Sequence, residues 1–114
     1  METTINMFKN LNAAIVVADA SYKVIYQNEK SIAFFKMAFG TGDYMGRSIL
    51  ELHKPETSEM IKIHYQEYLE KTRNIYHYTL DIPDGKITIV NSPFYDDDGK
   101  FAGVVEFIFD SSLA

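Results

Sequence analysis

The sequence predicts an α+β fold, a sheet with helices packed on one of its faces. Segments of strand character stand as a pair near the start and as a trio at the end, with helical spacing between them. The last three are separated only by "PDG" and "DDDG", turns so short that these strands must be antiparallel neighbours. With 114 residues, 46% hydrophobic and 14% aromatic, the chain supplies one domain (residues 1–114), burying roughly 60 to 70% of its unfolded surface.

Thr3 or Thr4 is placed to cap a short amphipathic helix over about residues 3–11, in which Ile5 and Phe8, and Met7 and Leu11, fall at helical spacing. The core of the domain then spans about residues 12–110. "AAIVVAD" is rich in β-branched residues and stops at "DASYK", where Asp19 and Ser21 can bond the backbone of a tight turn into "KVIYQN". Asn28 is the expected N-cap of "EKSIAFFKMAF", whose stripe of Ile32, Phe35 and Phe39 is widened by Phe34 and Ala38. Gly40, Gly42 and Gly46 follow a helix and lack the dinucleotide spacing, so they read as turn glycines.

"RSILELH" predicts one or two helical turns, and Pro55 opens a longer helix to about Thr72, with Glu56 and Glu59 favourable to its dipole. Its apolar stripe is Met60, Ile61, Tyr65, Tyr68 and Leu69. His64, three after Ile61 and four after Met60, belongs to the same face and is expected to point inward. "NIYHYTLDI", "KITIVNSPFY" and "KFAGVVEFIFD" complete the sheet, with Asp84-Gly85 and Asp98-Gly99 in the turns.

Sixteen acidic against eleven basic residues give a formal charge of -5, a field that repels phosphate backbones and argues against nucleic acid as a partner. The longest apolar run, "AAIVVA", is far short of the roughly 20 residues that span a bilayer, and "METTINMFKN" lacks the pattern of a secretion signal, so a cytoplasmic protein is expected. The absence of cysteine excludes disulfides, thiolate metal sites and cysteine adducts with a flavin. No catalytic constellation, calcium loop, phosphate loop or nucleophile elbow is present, and an enzyme is not expected.

Taken in order, "AAIVVADASYKVIYQNEKS", "MGRSILEL" and above all "NSPFYDDDGKFAGVVEFIFD" resemble the PAS domain family over nearly the whole chain. "GRSILELHKPE" looks closest to a subgroup with Gly-Arg-Ser and then His-x-Pro ahead of the long helix. The resemblance implies a five-stranded antiparallel sheet of order 2-1-5-4-3, helices cupped over one face, and a cavity between them. It further implies a sensory module that binds a small molecule there and signals through altered protein contacts, or a ligand-free interaction domain that pairs with a second copy or a partner signalling domain. The terminal strand departs from the family's usual ending, since Asp110 is followed by Ser111 and Ser112.

By the family's layout the cavity walls would come from Phe34, Phe35, Ile49, Met60, His64, Ile89, Asn91 and Phe107. His53, beside a proline at a helix junction, is a further candidate ligand contact. Haem or flavin is a cofactor the resemblance allows, with His53 or His64 as the metal ligand if haem is bound. The family's haem-binding oxygen sensors place the histidine about seven residues after the proline of Pro-Glu. Here that position is Lys62, and His64 lies two places on, a rotation of about 200°. His53 matches the position used by a carbon-monoxide-sensing subgroup, but the three late strands carry no methionine as a second ligand. His77 alternates with Tyr76 and Tyr78 and is expected on the exposed face.

Overall fold

The computed structural model of the chain describes residues 8–9, 11–82 and 85–110. Its elements are β1 (Ala14–Asp19), β2 (Val24–Gln27), α1 (Glu29–Phe39), a 3₁₀ turn (Ile49–Leu52), α2 (Pro55–Glu70), β3 (Tyr76–Ile82), β4 (Gly85–Tyr95) and β5 (Phe101–Asp110). The five strands form one antiparallel sheet of order β2-β1-β5-β4-β3, the expected topology. No described helix is long and apolar enough to cross a membrane.

The turns follow from side chains that replace backbone partners. The Asp19 carboxylate accepts from the Ser21 and Lys23 amides, and Asp96 does the same for Asp98 and Lys100. Gly40 ends α1 in the left-handed conformation at φ 83, its amide donating to Lys36. At Gly103 a Cβ would collide with the Ala18 carbonyl oxygen and the Phe94 ring, so β5 can approach β1 only there as glycine.

Asn28 is the latch between the sheet and the helices. Its Oδ1 accepts from the Ile15 and Ser31 amides, and its Nδ2 donates to the Ala13 and Phe8 carbonyls, all within 3.1 Å. One side chain thus caps α1 and fastens it to β1. Gln27 beside it holds the segment after α1, donating to the Gly42 carbonyl at 3.0 Å and accepting from the Tyr44 amide at 2.7 Å. Both side chains are buried, and both have donor and acceptor ends partnered, which offsets the cost of removing them from water.

The helices cover the sheet face formed by Ala14, Val16 and Ala18 of β1, Ile87, Ile89 and Asn91 of β4, and Val104, Glu106 and Ile108 of β5. α2 turns Ile61, His64, Tyr65 and Tyr68 toward that face. Met60 and Leu69, expected in the same stripe, are 50% and 57% exposed. The reason is angular, since both sit roughly 80 to 100° from the stripe's centre at Ile61 and Tyr68. Phe39 is likewise exposed at the end of α1 although its ring touches Phe35. α2 stops at Glu70 instead of Thr72 because Lys71 turns left-handed at φ 60.

Of the helix expected over residues 3–11, Phe8 and Lys9 are helical and Leu11 is not; the rest, like Asp84 of the third turn, lies outside the described residues. Replacing Asn28 by alanine leaves buried amides and carbonyls without partners and is expected to cost about 2 to 4 kcal/mol, read from urea unfolding. A loss below about 1 kcal/mol would show that the latch is dispensable.

Candidate functional site

The register of the sheet places Val16, Glu106, Asn91 and Tyr76 directly opposite one another across β1, β5, β4 and β3. Opposed residues share a face, so this row runs beneath the helices. The neighbouring rows are apolar or aromatic: Ala14, Ile108, Ile89 and Tyr78 on one side, Ala18, Val104 and Pro93 on the other. A polar stripe therefore crosses the middle of the covered face.

α2 rests on that stripe. Tyr68, fully buried, lies with its hydroxyl 2.6 Å from Asn91 Oδ1 and 3.0 Å from the Asn91 carbonyl oxygen. The Tyr76 hydroxyl donates to Glu67, and His64 stacks on the Tyr76 ring at 3.6 Å with planes 17° apart. Tyr65 donates to the Asp19 carbonyl at 3.0 Å and packs on Tyr22. Burial raises the Tyr65 and Tyr68 hydroxyls well above the usual phenol range, so both remain donors.

Two spaces meet at the stripe. An inner hollow of about 40 Å³ lies under α2 against Val16, Phe35, Ile49 and Val104, room for a few water molecules. A groove of about 430 Å³ opens beside it, between the first half of α2 and β3, with Thr57, Met60 and Tyr78 on its walls. The hollow and the groove share His53, Ile61, His64, Asn91 and Glu106. The groove falls within the roughly 300 to 1,000 Å³ of small-molecule sites, and the hollow does not.

The polar groups at this junction are under-partnered. Glu106 Oε2 lies 3.5 Å from Asn91 Nδ2, a long contact for a group so deep beneath α2. Burial raises its carboxyl above the ordinary glutamate value, while His53 and the Asn91 contact pull it down in part. His64 Nε2 is buried with no hydrogen-bond partner among the described residues. Burial lowers His64 below the usual imidazole range, against the pull of Glu67 and with a push from Arg73. Tyr78 is pushed up to about 12 by burial and then by the charge of Glu106.

His53 is exposed at the rim, its Nδ1 2.9 Å from the Ile49 carbonyl oxygen. Because that oxygen only accepts, the neutral ring carries its proton on Nδ1 and leaves Nε2 as an acceptor.

Of the candidates named from sequence, the structure brings together His64, His53, Asn91, Ile49 and Phe35 around the hollow, with Met60 at the groove's outer wall. Ile89 is buried in the core beside them. Phe34 packs against the core from α1 and borders a different surface depression. Phe107 does not line the cavity. It faces the opposite side of β5, level with Ile15 and Val90, and stacks on Phe109. In "GVVEFIF" both faces are apolar, so hydrophobicity alone leaves the register open by one place. The inward residue is Glu106, which the sequence reading missed; the signal was its alternation with Val104 and Ile108. His77 stands on the outer face, as expected.

A family model described as "PAS domain" matches residues 5–112. The chain belongs to the PAS domain family. The C-terminal domain of a Streptococcus mutans protein superposes on this PAS domain with a TM-score of 0.79 at 20% identity, covering 96% of this chain and 83% of that one. The PAS domain of histidine kinase ThkA gives 0.63 at 17% identity, covering 88% and 100%. VqmA bound to DPO gives 0.62 at 24% identity, covering 96% and 57%. No curated protein is matched by the sequence.

The hollow of about 40 Å³ admits neither a haem nor a flavin ring system; His64 is stacked on Tyr76, and His53 stands at the rim. Among the described residues no group of three or more His, Asp or Glu side chains is placed to hold a metal ion.

The buried carboxyl makes stability depend on pH in a defined direction. Because the folded Glu106 holds its proton more tightly than the unfolded chain, it contributes stability below the unfolded value of 4.5 that is lost as pH rises through the folded value. Glu106→Gln removes that loss. Its urea midpoint relative to the parent is expected to rise from about pH 4.5 to pH 7. Parallel curves would show that the carboxyl is solvated.

Proposed function

We infer that this PAS domain is a sensory module whose groove between α2 and β3 takes a small organic molecule. The observation that carries the reading is the junction of groove and hollow, where His64 Nε2 has no partner and Glu106 has only a long one. An unsatisfied buried polar atom costs free energy, of order 1 to 3 kcal/mol, that a ligand or an ordered water recovers. A ligand with polar atoms at one end and an apolar body recovers it while burying surface against Ile61, Met60 and the Tyr78 ring. A protein of the same fold, VqmA, has been solved bound to DPO.

The signal follows from what the groove's contacts hold. His64 and Tyr68 lie on α2, Tyr76 and Asn91 on β3 and β4, and the stack and hydrogen bonds among them fix how α2 sits on the sheet. A ligand that engages His64 or Glu106 changes that seating, and the change passes to whatever the domain touches. The bias equals the ligand's difference in affinity for the two seatings.

A second role, pairing with another copy or with a signalling domain, is supported by the outer sheet face. There Phe107 and Phe109 stack at 6.3 Å, and Phe109 is 37% exposed. Phe8 is a further exposed apolar side chain at 42%, whereas Ile5 lies outside the described residues.

Native mass spectrometry of protein freshly isolated from cells reads both roles at once. A small added mass is expected on the wild type and its loss in Met60→Trp, which fills the groove from its exposed wall without entering the core. A bare mass that remains bare, with only the dimer peak responding to Phe109→Asp, would overturn the sensing reading in favour of pairing.

A further inference from the structure

We propose that the groove selects a small molecule carrying a protonated amine on a flat apolar body, with the ammonium seated at Glu106. The proposal rests on the reading of the groove as a binding site and names the class of ligand it takes. Charge is the first argument. Two carboxylates line the groove, Glu56 on α2 at its edge and Glu106 at its floor, and no lysine or arginine stands among its described lining residues. An anionic ligand would find no lysine or arginine to pair with there and only the His53 imidazole at the rim, whereas a cation is drawn in by the carboxylates.

Hydrogen-bond capacity is the second. The hydroxyl of Tyr68 occupies Asn91 Oδ1, which leaves Asn91 Nδ2 on the side of Glu106 at 3.5 Å. That contact uses little of what a carboxylate offers, since its two oxygens accept about four hydrogen bonds. At the rim, His53 has its Nδ1 proton committed to Ile49 and contributes an acceptor when neutral. The junction is thus rich in acceptors whose missing partner is a donor. An ammonium group brings three donors and a charge, and its bonds to a carboxylate are short and strong.

The aromatic wall is the third. Tyr78 of β3 lines the groove one row from the stripe and offers a ring face to an aromatic body and to a cation beside it, whereas Tyr76 is already stacked on His64 with the Arg73 guanidinium 4.4 Å from its ring centroid. The groups facing Glu106 are His53 from the 3₁₀ turn's end, His64 and Glu56 from α2, Tyr78 from β3 and Asn91 from β4. Burial keeps His64 neutral near pH 7, so it adds no competing positive charge. Where Glu106 is protonated before binding, its proton leaves to solvent as the ammonium arrives, and the pair forms as carboxylate and cation.

Three fragments of one shape separate the charges: benzylamine, benzyl alcohol and benzoate, titrated into the full 114-residue chain near pH 7 and followed by amide resonances of Ile61, His64, Tyr78, Asn91 and Glu106. Benzylamine is expected to shift these resonances and to bind at least about tenfold more tightly than benzyl alcohol, with benzoate inert. Glu106→Gln should bring benzylamine down to the level of benzyl alcohol, while Glu56→Gln changes it less than about threefold. The wild-type order of affinities reads the same property should Glu106→Gln fold poorly. Benzyl alcohol or benzoate matching benzylamine, or a benzylamine preference that survives Glu106→Gln, overturns the amine assignment and leaves the groove standing. Failure of all three fragments to move the groove resonances overturns both.

Discussion

Strand β5 is hydrogen-bonded on both edges, to β4 over nearly its full length and to β1 from Gly103 to Ile108. Its register is therefore fixed from two sides, and a shift of one residue would exchange Val104, Glu106 and Ile108 for Val105, Phe107 and Phe109 under the helices. The rest of the architecture depends on that constraint. Gly103 admits β1, Val104 and Ile108 join the two halves of the core, and Glu106 is left facing α2 with no charged partner within hydrogen-bonding distance among the described residues. A carboxyl in such a place costs stability that an apolar residue of similar size would not. The fold carries that cost at the one point where groove and hollow meet.

Around that point the polar network is built unevenly. Asn28 and Gln27, which fasten α1 and the following segment to the sheet, are fully partnered and buried. The groups that fasten α2 are partnered on one side only. Tyr68 reaches Asn91, Tyr76 reaches Glu67, and His64 is held by a stack while its Nε2 stays unpaired. The first set behaves as scaffold. The second has unused capacity, and its seating is what an occupant of the groove would alter.

Much of this was legible in the sequence where local chemistry decides the outcome. Asp19, Asn28, Asp96 and Gly99 act within a few residues of themselves, so the turns, the cap of α1 and the antiparallel pairing of β3, β4 and β5 through short connections could be read directly, whereas the place of β1 beside β5 came from the family resemblance. His64, Tyr65 and Tyr68 were placed by helical period alone. What escaped was set across the sheet. Phe107 and Glu106 compete for the inner face in a run apolar on both sides, and pairing with Ile89, Asn91, Ala14 and Val16 settles the matter in favour of the charged residue. Hydrophobicity argues for the wrong one of the two. The size of the hollow was equally out of reach, because the packing of Tyr65, Tyr68 and Phe101 closes space that the spacing of residues leaves undetermined.

The environment of one carboxyl decides how α2 is seated, and a carbon-detected NMR titration of the glutamate side chains reads it residue by residue. Glu106 is expected to titrate above the ordinary glutamate value, and to move downward when an ammonium-bearing molecule occupies the groove. Titration of Glu106 at the ordinary glutamate value would place its carboxyl in water and contradict the account.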